Sequence, residues 1–162
     1  MAIADWADFF TACAGAAAAL AGLVIVAISV NIDHILKYKH LPTRAAATVS
    51  ALILILIVAL VGLMPDVTTR LFGLIVIISS LVAGGFGLKT LMLMASSEYK
   101  RSLGEKMLQL IITQLGTIMF IVSGVLLALN RTSGFSWLAF GILVVFVSSV
   151  FNAWVLLVEI LR

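Results

Sequence analysis

The stretch Cys13–Asp33, CAGAAAALAGLVIVAISVNID, decides how this chain is read. It opens in Ala and Gly, turns to Leu, Val and Ile, and ends on Ser29, Asn31 and Asp33. Its apolar part is about twenty residues long, and at a rise of roughly 1.5 Å per residue such a helix crosses a hydrocarbon core of about 30 Å. Small residues let helix backbones approach closely in lipid. The stretch therefore predicts a membrane-spanning helix that packs tightly on other helices and leaves the bilayer through a polar end.

Four further apolar runs follow, so the expected spans are 9–32, 45–64, 71–95, 107–129 and 135–161. Together they predict an all-α integral membrane protein, a single domain of five transmembrane helices. The breaks carry stop and start chemistry. His40-Leu41-Pro42-Thr43 is expected to end the first helix, because the residue before Pro is pushed out of the α region. Met64-Pro65-Asp66 should end the second in the same way. Ser102 and Glu105 fit the capping box of the fourth, and Asn130–Gly134 reads as a short polar turn.

Composition agrees. Of 162 residues, 64% are hydrophobic and 10% charged, against about 25% charged in soluble domains. Cys13 is the only cysteine, which excludes an internal disulfide framework and a cysteine metal cluster. The first ten residues, MAIADWADFF, hold no Lys or Arg, so no signal-peptide cleavage is expected.

Basic residues set the expected orientation. With five spans, Lys37, Lys39, Arg44, Lys100, Arg101, Lys106 and Arg162 share one side, and Arg70 and Arg131 the other. That bias places the N-terminus outside and the C-terminus in the cytoplasm, with anionic lipid at the inner face rather than nucleic acid as the basic residues' partner. Trp6, Phe9, Phe10, Phe135 and Trp137 then form an outer aromatic belt, and Tyr38 and Tyr99 an inner one.

Helical spacing groups the small residues into faces. In the first span Asp8, Ala12, Gly15, Ala19, Gly22, Val26 and Ser29 share a stripe that continues to Asp33, while Asn31 points elsewhere. In the third, Gly73, Ser80, Gly84 and Gly87 align; in the fifth, Gly141, Val145, Ser148, Asn152 and Glu159. Gly15, Ala19, Gly22, Gly84 and Gly87 are the expected packing residues. The second span is almost wholly Leu, Ile, Val and Ala, and is expected to be the most lipid-exposed. Strong polar groups gather in the cytoplasmic half: Ser29, Asn31, Asp33, Lys89, Gln114, Asn152 and Glu159. Lys89 either snorkels to the inner surface or pairs with Asp33 or Glu159, since an unpaired charge in hydrocarbon costs at least a few kcal/mol.

Catalytic chemistry has no foothold. No HExxH occurs, both histidines (His34 and His40) fall in the first inner loop, and Gly84-Gly85-Phe86-Gly87 sits within a span rather than after a strand. No enzyme, cofactor or metal site is expected.

The opening GAAAALAGLVIVAISVNIDHIL, followed by LPTRAAA, resembles a family of small bacterial multi-span proteins of largely unknown function. Some members are loosely labelled as modulators of a membrane AAA protease. The resemblance covers the first span and the start of the second, implies a bacterial inner-membrane location, and brings no catalytic residues.

Two functions fit these features. One is a homo-oligomeric channel or pore for small cations, with the first span at the axis and Ser29, Asn31 and Asp33 near the inner mouth. The other is an accessory or scaffolding protein that binds and regulates another membrane protein through its Gly/Ala faces.

Overall fold

A computed structural model of the chain describes residues 3–30, 32, 40–95 and 103–160, with side chains described except at 40, 41, 43, 44, 86–95, 103–114 and 155–160. After a 3-10 turn at Ile3–Trp6 come five helices: α1 (Ala7–Val30), α2 (His40–Gly62), α3 (Thr69–Ala95), α4 (Leu103–Ala128) and α5 (Ser133–Ile160). Each matches one apolar run of the sequence. Three stretches are long and apolar enough to cross a membrane: Ile3–Val30, Ala45–Gly62 and Ser133–Trp154. The apolar parts of α3 and α4 whose side chains are described, Thr69–Gly85 and Leu115–Ala128, are shorter.

The helix ends follow local chemistry. Thr68 caps α3, its hydroxyl accepting from the Leu71 amide at 3.3 Å. After α4, Asn130 takes a left-handed conformation (φ 56°). Its amide donates to Leu127 O and the Arg131 amide to Leu126 O, the paired bonds of a Schellman motif. Asp66 is also left-handed (φ 64°) in the turn after α2. Pro42 departs from expectation: it lies in the first turn of α2 rather than beyond the end of α1. A first-turn amide has no intrahelical acceptor, so proline loses nothing there.

Helices α3, α4 and α5 pack in sequence, and α2 closes the group by packing on both α3 and α5. The principal neighbour of α1 is α2, with a slighter contact on α5. The expectation for the second span is thereby overturned. Its Leu52, Leu54, Ile55, Val58 and Ala59 are buried, and 44% of its apolar window is inside the bundle, against 22% for the first span and 33% for the last. Bulky apolar side chains suit lipid and a helix core equally, so residue type alone does not choose between them.

Glycine makes the tightest approaches. A methyl on Gly73 would lie 2.5 Å from the Ala128 amide nitrogen and 2.7 Å from Gly124 O, so α3 and α4 cross backbone to backbone. A methyl on Gly141 would meet Met119 and Phe120, and one on Gly116 would meet Val145, which sets the α4–α5 spacing. Ser123 lies where α4 passes the start of α5 and donates to Gly134 O at 2.8 Å in a buried bond.

The outer aromatic belt also proves different. Phe10, Phe72 and Phe135 are fully buried. Trp6 stacks on Phe135 with centroids 5.6 Å apart, Phe72 stacks on Phe135 at 6.1 Å, and Phe10 meets Phe72 edge-on at 5.6 Å. These rings tie α1, α3 and α5 together at one end, and only Trp137 of the expected set is well exposed. Burial wins because rings from three neighbouring helices converge at one level and gain edge and stacking contacts there.

Candidate functional site

The polar end of α1 is the feature around which a function can be built. Phe10, Cys13, Ala17, Ala21 and Val24 form the buried face of α1, stepping by three or four. The stripe Ala12, Gly15, Ala19, Gly22, Val26 and Ser29 is exposed throughout and lies roughly opposite, at about 100° per residue. A methyl group added to Gly15 or Gly22 would meet nothing within 4 Å. Among the described residues the small face of α1 therefore meets no other helix; α1 packs on α2 through its other side.

Gly84 is buried, and a methyl there would lie 2.9 Å from Thr117 Cγ2 of α4. The backbone of Gly87 is in α3, outside the residues with described side chains.

Of the expected polar groups, Ser29 is exposed and donates to Ile25 O at 2.9 Å, so its proton is held by its own helix while its lone pairs stay open. Asn152 is half-buried on α5. Asn31 and Asp33 lie outside the described residues, as do the side chains of Lys89, Gln114 and Glu159. The structure thus brings together, of the expected set, no pair whose contact it describes. Among the described residues no group of three His, Cys, Asp or Glu is placed to hold a metal.

Among the described residues, four hydroxyl side chains are buried: Thr48, Ser80, Ser123 and Ser149. Ser80 donates to Ile77 O and Ser123 to Gly134 O, so both serve the backbone. Ser149 is a position that stripe reading passed over in favour of Ser148. It continues the series Leu138, Ile142 and Val145, which is the buried side of α5 and carried the available signal. At the opposite end the indole N–H of Trp6 is buried without an acceptor.

The architecture is therefore a helical membrane bundle with a well-packed four-helix group, α2 to α5, and one helix, α1, packed on one side only. Comparison with protein-family models, with curated proteins and with solved structures finds no match to this chain.

Proposed function

We propose that the chain is a five-span protein of the bacterial inner membrane, N-terminus outside and C-terminus cytoplasmic, that assembles as a homo-oligomer and forms a pore for small cations. The observation that carries the reading is the outward face of α1, small from Ala12 to Gly22, open beside both glycines, and polar at Ser29. Small faces permit close helix approach, and helices related by a closed symmetry axis use the same face on every subunit. Ser29 lone pairs and the acidic Asp33 that follows suit a cation at the mouth of such an assembly. The basic bias of the loops after the first and third spans supports the orientation. The resemblance of residues 15–36 to small bacterial multi-span proteins supports the location.

The test combines assembly and flux. Purified protein in nanodiscs should be a closed homomer, and in liposomes it should pass monovalent cations under voltage. The double variant Gly15→Leu, Gly22→Leu should lose both properties while keeping helix content, because none of the described residues crowds either site. Asp33→Asn should alter cation preference. A monomer without flux sinks the pore. A stoichiometric foreign membrane protein on the same face would instead establish the accessory role.

A further inference from the structure

The outward face of α5 differs in kind from that of α1. Leu138, Ile142, Val145 and Ser149 are its buried side. Trp137, Phe140, Leu143, Val147, Phe151 and Trp154 are exposed and cluster about the opposite direction, at roughly 100° per residue. Between the two tryptophans this arc holds no polar residue and no Gly or Ala. Small residues are what a close helix partner needs, and this arc offers none. Trp137 and Trp154 are 17 positions apart, about 25 Å along a helix, within a few ångströms of a hydrocarbon core of about 30 Å. Tryptophan favours the headgroup level at both membrane faces.

We propose that this face of α5 is covered by phospholipid acyl chains, and that Trp137 and Trp154 mark the two edges of the hydrocarbon layer around the protein. The inference rests on membrane insertion and is independent of the pore reading.

Packing carries the same planes to the other helices. Trp6 and Phe72 both stack on Phe135, which aligns the outer ends of α1, α3 and α5. Further along, Phe146 and Ala153 pack against the cluster of Ala21, Val24 and Leu52, in keeping with the same offset between α1 and α5. The level of Trp154 thus corresponds to about Ile25 on α1, and Ser29 stands roughly 6 Å beyond it at 1.5 Å per residue. The polar exit of α1 is at headgroup depth. Counting from Phe72 in the same way brings the backbone of Lys89 to within roughly 3 Å of that plane.

Site-directed spin labelling tests the assignment in liposomes. In a Cys13→Ala background, labels at Phe140→Cys, Val147→Cys and Phe151→Cys should collide freely with dissolved oxygen and several-fold less with a water-soluble nickel chelate. Labels at Trp137→Cys and Trp154→Cys should regain access to nickel, and Ser29→Cys should exceed both. An immobile, oxygen-shielded label at position 147 would overturn the proposal, and spin–spin broadening there would identify a second copy as the cover. In the unaltered protein, lipids brominated near the headgroup should quench tryptophan emission more strongly than lipids brominated at the chain end. The reverse order would place the tryptophans in mid-bilayer and overturn it equally.

Discussion

Helices α1 and α2 are the instructive pair. Both are apolar and of nearly equal length, 24 and 23 residues. They lie side by side, yet α2 is the centre of the bundle and α1 its margin. Residue size accounts for the contrast. The Leu, Ile and Val side chains of α2 reach α1, α3 and α5 at once, filling the space between three neighbours and gaining many weak dispersion contacts. The Ala and Gly of α1 project little, so that helix gains only where a neighbour's backbone comes close. Among the described residues, α2 and, more slightly, α5 meet it on one side, and its small face is left open. In water, hydrophobicity sorts inside from outside. In lipid it does not, and shape decides.

The comparison can be broken at its strongest point first. Phe10 is the ring through which α1 reaches α2 and α3, and it is fully buried. Phe10→Ala should destabilise the fold by about 3 kcal/mol, from the cavity and the lost ring contacts, and thermal unfolding in detergent measures this. Ile55→Ala, in the centre of α2, should cost about 2 kcal/mol or more, whereas Leu23→Ala on the exposed side of α1 should change the single-chain fold by less than about 0.5 kcal/mol. Equal losses at the two positions would mean that α1 and α2 are equivalent and would remove the contrast. Gly62→Ala sharpens it at the contact itself. The added methyl would lie 2.7 Å from two Phe10 ring carbons, so a loss of about 1–3 kcal/mol is expected from overpacking. The smallest effect is on the open face: Gly15→Ala should leave the fold unchanged or stabilise it by up to about 1 kcal/mol, since alanine suits a helix interior better than glycine.

The sequence displayed the helices plainly and their neighbours poorly. Every apolar run became one helix, and Pro65 and the Asn130–Gly134 turn fell where breaks were expected. Of the expected Gly73, Ser80, Gly84 and Gly87 stripe, the first three are buried, Gly73 against Gly124 and Gly84 against Thr117 of α4, and position 87 lies outside the described side chains. Nothing along the chain said that Gly15 and Gly22 would find no such counterpart among the described residues. Spacing reports which residues share a face, and the direction of that face depends on residues far away. The aromatic rings illustrate the same point. Trp6, Phe10 and Phe135 looked like a membrane belt because each stands near a helix start, while their convergence on Phe72 of a third helix was not legible. Of the polar site, Ser29 and Asn152 both fall toward the C-terminal ends of their helices, α1 and α5, and spacing alone could not pair them.

The stack of Trp6 on Phe135 joins positions 129 residues apart. Such a contact closes a loop of most of the chain, and loop closure disfavours it until intervening helices have paired. The Ser123–Gly134 bond, by contrast, spans 11 positions and can form as soon as α4 and α5 meet. The ring stack is accordingly a mark of completion. A chain released without α5 would hold Trp6 in a different environment from the finished protein, so indole emission distinguishes a partly assembled bundle from a whole one without any added label.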